Sequence, residues 1–151
     1  MTRRSVIVSA SGVRMPVAAA RLAALATEVL RAERVALAEV SVTCLPPRRM
    51  ARLNREHLGH QGPTDVITFA LGRRADGVLE ADVYLCPAVA RDQATAHGVG
   101  VREEMARLVV HAMLHACGWD HPVDAGRTTS PMWRRQERYL RRFWIPSVRA
   151  A

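Results

Sequence analysis

Histidines 111, 115 and 121 are the residues of this chain whose type and spacing can do chemistry. They fall in His111-Ala-Met-Leu-His115-Ala-Cys-Gly118-Trp-Asp120-His121, at offsets zero, four and ten, with Gly118 at offset seven. The preceding run, Val101 to Val110, reads as helix, so His111 and His115 stand one turn apart on one face. Gly118 falls where a helix stops, because glycine takes the left-handed conformation at little cost. The chain then folds back and offers His121 from a separate loop. Two imidazoles on a rigid helix and a third from a loop make three sides of a tetrahedron. That is a geometry Zn²⁺ accepts, with a fourth position left for water. The expectation is one Zn²⁺ per chain on His111, His115 and His121.

The spacing equals that of the metzincin proteases, H-E-x-x-H-x-x-G-x-x-H. One substitution argues against peptide hydrolysis: the general-base position after the first histidine is Ala112, and a methyl group takes no proton from water. Chemistry at the site then needs metal hydroxide, a carboxylate from elsewhere, or the substrate's own phosphate. Asp120 precedes His121 and is placed either to orient a ligand imidazole or to stabilise the turn. Trp119 reads as an anchor of that turn in the core. Cys117 lies two residues from His115 and is expected to point away from the metal.

The elements that must position these residues follow from periodicity and punctuation. Ser5 to Ser9 reads as a β-branched strand. Pro16 suits a helix start, and Val17 to Arg34 carries Leu22, Leu25, Val29 and Leu30 at helical spacing. Glu39 to Leu45 alternates as a second strand, ended by Pro46-Pro47. Arg48 to Leu58 reads as a basic helix. Thr64 to Leu71 and Val78 to Cys86 read as an antiparallel pair. Pro87 opens a helix to His97, Gly98 and Gly100 separate it from the histidine helix, and Ser130-Pro131 starts a last one. Strand, helix, strand, helix, hairpin and three helices predict an α+β domain: a small mixed β-sheet of about four strands with helices packed on it.

A chain of 151 residues is expected to be a single domain, 1–151, able to bury a real core. Its 49% hydrophobic content supports a folded globule, and with aromatics at 5% the core must be Leu, Val and Ala. The net charge is +8, and all 22 basic residues are Arg. That balance favours a polyanionic partner, because Arg binds phosphate in bidentate fashion. Arg48, Arg49, Arg52 and Arg55, on the basic helix, are candidates for phosphate contact. Cys44, Cys86 and Cys117 are odd in number and form no CxxC pair. The start is not signal-like, and no apolar run approaches the ~20 residues of a membrane span. The expectation is a reduced cytoplasmic protein with no membrane partner.

The histidine stretch resembles the H-G-x-L-H-L-x-G-Y-D-H signature of the bacterial YbeY proteins, described as endoribonucleases or rRNA maturation factors. Two further stretches agree in order. Leu53-Asn54 leading to Pro63-Thr-Asp-Val-Ile-Thr-Phe69 is similar to L-N…P-T-D-V-L-S-F, and Ala81-Asp-Val-Tyr-Leu-Cys86 is similar to G-D-I-x-I-S. The likeness covers roughly residues 38 to 121. It implies a zincin-like metal-hydrolase fold with Zn²⁺ on His111, His115 and His121. It also implies single-strand-preferring endonucleolysis in ribosomal RNA maturation, notably at the small-subunit rRNA 3′ end, and in ribosome quality control. Ribosomal RNA and the small ribosomal subunit are the implied partners. The chain departs from the family at Leu58, where an Arg linked to activity is usual. An aliphatic side chain holds no phosphate; Arg55, one turn earlier, is the candidate substitute. Ala81 and Ala112 replace glycines, and Arg127-Thr-Thr-Ser130 replaces an acidic stretch.

The expected chemistry is phosphodiester hydrolysis, with Asp65 or Asp120 positioning water or ligands. Two rivals stand beside it: a non-catalytic ribosome-assembly factor with a structural metal, favoured by Leu58, and a metal-dependent peptidase, disfavoured by Ala112.

Overall fold

In a computed structural model, which describes residues 1–145, the chain folds into one four-stranded sheet with helices packed on it. The elements run β1 (Arg3–Ala10), α1 (Ala19–Ala32), β2 (Leu37–Cys44), α2 (Pro47–Leu58), β3 (Val66–Arg73), β4 (Leu79–Leu85), α3 (Pro87–His97), α4 (Val101–Ala116), a 3₁₀ turn (Ala125–Thr129), α5 (Pro131–Tyr139) and a π turn (Leu140–Trp144). The order and type of strands and helices are those expected, with ends shifted by a few residues. Helix α1 begins after Ala18, not at Pro16, because Val17 is buried in a bend ahead of it.

The sheet order is β1-β2-β4-β3. Strands β1, β2 and β4 run parallel, and β3 is antiparallel to β4 at one edge. The mixed sheet of the α+β expectation is therefore present. Alternation decides which face is buried. Val40 and Val42 of β2 and Leu79, Ala81, Val83 and Leu85 of β4 face α1 and α4 in the main core. The other face carries Ser41, whose hydroxyl donates to Asp82 at 2.8 Å, and Ile7, which is 66% exposed. At the β3 end Met50 of α2 covers this face, packed with Ile67 and Cys86.

Helix α4 runs through the middle of the molecule and touches α1, α3, α5, β3 and β4. Met105, Ala106, Val109, Val110, Ala112, Met113 and Leu114 are fully buried. A helix apolar on nearly every side belongs in a core, and this one delivers His111 and His115 at its C-terminal end. Gly118, at φ 99°, stops it as expected.

Glu33 caps the C-terminus of α1 and ties three parts together. Its Oε1 accepts from the Trp119 indole at 2.7 Å, and its Oε2 accepts from Arg135 Nε at 2.8 Å and from the Tyr139 hydroxyl. The Arg135 guanidinium also lies 4.6 Å from the centre of the Trp119 ring. Burial pushes the Glu33 carboxyl up, but the hydrogen bonds from Tyr139, Arg135 and Trp119 outweigh it and hold the group below its ordinary value. A lowered folded pKa means that the folded chain binds fewer protons through that window. Glu33 therefore stabilises the fold above the ordinary carboxylate range, and this contribution is lost as pH falls through the folded value. Glu33→Gln should flatten the acid limb of a stability-against-pH profile measured by urea unfolding. Glu33→Ala should cost about 2–3 kcal/mol at neutral pH, by leaving its donors unpaired.

Candidate metal centre

His111, His115 and His121 come together as the sequence spacing requires. Their candidate ligand atoms all lie within 4.8 Å of one another. Ring centroids are 4.6 Å apart for His111–His115 and 4.9 Å for each pair with His121. Every Nδ1 is engaged by an oxygen: Gln136 Oε1 at 2.7 Å for His111, the Trp119 carbonyl at 2.9 Å for His115, and the Pro122 carbonyl at 2.7 Å for His121. A carbonyl oxygen only accepts, so each Nδ1 carries a proton, and in the neutral ring this tautomer leaves the lone pair on Nε2. Three imidazole nitrogens brought this close together are a donor set that could hold a divalent metal ion.

The Gln136 amide is itself oriented. Its Nε2 donates to Glu137 Oε2 at 3.0 Å, which leaves Oε1 for His111. Glu137 in turn accepts from Arg107 Nε at 2.9 Å, and Arg107 also reaches Glu103 and Glu104 at 3.3 Å each. Burial pushes the His111 imidazole down to about 3. The Gln136 hydrogen bond opposes this, and the charges of His115, Arg127 and His121 add to it. His115 is lowered as well, first by burial. Both rings are thus neutral at physiological pH and lose no proton on taking a metal.

The three rings line a cleft of about 610 Å³, together with Asp65, Asp120, Leu58 and Arg127. Asp65 heads β3. Its backbone oxygen accepts from Cys86 N at 2.9 Å, and its Oδ1 accepts from Val66 N at 2.7 Å. Asn54 helps set this wall: buried, it donates to the Gly62 carbonyl at 2.9 Å and ties α2 to the loop before Pro63. Asp120 is exposed at the rim and accepts from none of the three imidazoles, unlike the orienting role open to it in the sequence. Its charge acts on His115, favouring the protonated ring. Trp119 anchors the turn, as expected. Ala112 is buried in the core, and Cys117 stands outside the histidine group with its thiol pushed up to about 11 by burial. Arg48, Arg49, Arg52 and Arg55 are all exposed on α2 and do not line the cleft; Arg49 bonds Ser11 Oγ at 2.5 Å. Leu58, the last residue of that helix, does reach the cleft and is 47% exposed.

Sequence reasoning missed Gln136 and the place of Arg127. Gln136 had a signal: it shares a helix face with Met132 and Tyr139, all buried, and a lone amide in an apolar register implies a buried partner. The Trp119 and Pro122 carbonyls are backbone groups and leave none.

A family model described as Endoribonuclease YbeY matches residues 10–144. The chain belongs to the YbeY family. The Endoribonuclease YbeY of Frankia alni is 39% identical over 144 residues, covering 87% of this chain and 77% of that protein. That of Frankia casuarinae is 39% identical over 133 residues, covering 80% of this chain and 65% of that protein. The solution structure of TM1509 from Thermotoga maritima superposes with a TM-score of 0.64 at 24% identity, over 96% of this chain and 92% of that one, and shares the fold. The sequence resemblance to YbeY proteins is thus borne out. No helix among the described residues is long and apolar enough to cross a membrane.

Replacing Gln136 with Ala removes the acceptor on His111 without touching a ligand atom. Metal affinity, measured by competition with a chromogenic chelator, should fall about 10–100-fold, while Arg107 and Glu137 keep α5 docked on α4.

Proposed function

We propose that the protein is a zinc-dependent endoribonuclease, preferring single strands, that acts in ribosomal RNA maturation at the small-subunit rRNA 3′ end and in ribosome quality control. The observation that carries this reading is the set of three imidazoles with every Nδ1 turned to an oxygen, open to a cleft, in a chain of the YbeY family. In this reading residues 1–151 form one metal-hydrolase domain, working in the cytoplasm on ribosomal RNA and the small ribosomal subunit. The net charge of +8 suits a polyanionic substrate. Three nitrogen donors with an open side suit Zn²⁺.

His111, His115 and His121 would hold a Zn²⁺ ion, which would supply Lewis acidity at the phosphodiester. The chain's own groups do the rest. Asp65 has Oδ1 committed to its own turn, and Oδ2 is the oxygen that orients the attacking water and takes its proton. The water oxygen bonds to phosphorus, one P–O ester bond breaks, and the leaving ribose oxygen takes up a proton, balancing the one Asp65 received. Asp120, at the rim, raises the basicity of His115 through its charge. Arg48, Arg49, Arg52 and Arg55 meet the RNA backbone where it runs outside the cleft.

Leu58 favours a second reading, a ribosome-assembly factor with a structural metal, because its side chain at the mouth of the cleft offers no donor to phosphate. Cleavage of single-stranded RNA separates the two. Zinc-loaded protein should cut, a chelator should stop it, and His111→Ala should lose metal and cleavage together, activity falling more than about 100-fold. Cutting by Leu58→Arg alone, with the natural sequence inert, would turn the reading to the assembly factor. Full zinc occupancy in His111→Ala would remove that residue from the ligand set.

A further inference from the structure

Building on the phosphodiester reading above, we propose that Arg127 is the phosphate-binding residue of the cleft, and that a backbone phosphate of the RNA docks on its guanidinium beside the histidine site. Three observations carry this. Arg127 is the one arginine among the residues lining the cleft. It also lines a second cavity, of about 490 Å³, which shares Asp65 and His111 with the first. Arg127 thus stands at the junction of the two spaces, on a lining it shares with the imidazoles.

The side chain is also uncommitted. Among the described residues no hydrogen bond or ion pair engages it, and its Nε is buried without a partner. A buried, unpaired N–H of a cation is costly. Two carboxylates line the second cavity: Glu104 is held by Arg107 at 3.3 Å, and Asp65 accepts from Val66 N at 2.7 Å, so neither is paired with Arg127. A phosphate oxygen supplies the missing acceptor, and the planar fork of Arg suits two of them at once.

The backbone under Arg127 is fixed before any ligand arrives. Asp124 accepts from Gly126 N at 2.9 Å, Arg127 N donates to the Asp124 carbonyl at 3.0 Å, and Ser130 closes the turn on the Arg127 carbonyl at 2.8 Å. Across the cleft, Leu58 offers no donor at all. Inside the cleft the grip on phosphate therefore comes from the 3₁₀ turn between His121 and α5, not from α2.

The test uses zinc-loaded protein and a fluorescent single-stranded RNA with phosphorothioate linkages, which resists cleavage and keeps the backbone charge. Arg127→Ala should weaken binding at least about tenfold and reduce the salt slope by about 0.7. Zinc content and melting temperature should stay at the natural values, and Arg127→Lys should recover part of the affinity. Arg91→Ala, which removes the same charge from the exposed face of α3, should change binding less than about twofold. Equal losses in Arg127→Ala and Arg91→Ala would overturn the proposal, as would natural affinity in Arg127→Ala, or loss of zinc from it. A protein of natural sequence that binds but never cuts unmodified RNA sinks the nuclease reading, and the ratio of affinities still decides Arg127.

Discussion

The constraint on which the structure turns is that α4 is core on nearly every side and still ends in two imidazoles. A buried ring nitrogen without a partner costs as much as any other orphaned polar group. The fold meets that cost with acceptors from three different places: an amide on α5, a carbonyl in the turn after α4, and a carbonyl beside the third histidine. Each acceptor also selects the tautomer that leaves Nε2 open. Burial and function therefore make the same demand on these rings, and one set of hydrogen bonds answers both. The partner of His111 is the most elaborate, since Gln136 is oriented by Glu137, Glu137 by Arg107, and Arg107 by two further carboxylates on α4. Among the described residues, no buried side-chain nitrogen or oxygen of this network is left without a partner.

Glu33 answers a second constraint. An acidic residue at a helix C-terminus stands at the wrong end of the helix dipole, and α1 ends on one. Local preference is overridden because the carboxylate collects the Trp119 indole, Arg135 and Tyr139. Trp119 then carries the carbonyl that holds His115. The segment between Gly118 and His121, which a glycine at φ 99° would otherwise leave loosely directed, is fixed from the far end of a helix more than eighty residues earlier in the chain. A local rule broken next to a functional site is where such compensation is expected.

The histidine cluster and the order of elements were legible in the sequence because both rest on short-range patterns. Spacing of four on a helix, a glycine that stops it, alternation in β2 and β4, and prolines at the starts of α2, α3 and α5 are all local. What was illegible is tertiary. The parallel pairing of β2 with β4 passes over β3 and leaves no mark on any one strand. That Asp120 would orient no imidazole could not be read, because two of the competing acceptors are backbone carbonyls. The basic helix α2 was legible as a helix and as basic. Its rotation, which sends Arg48, Arg49, Arg52 and Arg55 to solvent and only Leu58 to the cleft, was fixed by Met50 and Asn54 turning inward.

That rotation divides the positive charge of the molecule into two kinds. Arginines on open surface raise the local concentration of a polyanion and speed encounter, but solvent and salt screen them beyond about 8–10 Å. They hold no atom in place. Inside the cleft the lining is carbon at Leu58 and Val123, carboxylate at Asp65 and Asp120, and imidazole at the three histidines, which are held as neutral rings at His111 and His115. Without a metal ion, two carboxylates there would repel a phosphodiester, and the single guanidinium of Arg127 would be the one fixed positive charge. A divalent ion held by the three histidines would reverse that balance. The one guanidinium on the lining comes from the turn that follows the third histidine, six residues after His121.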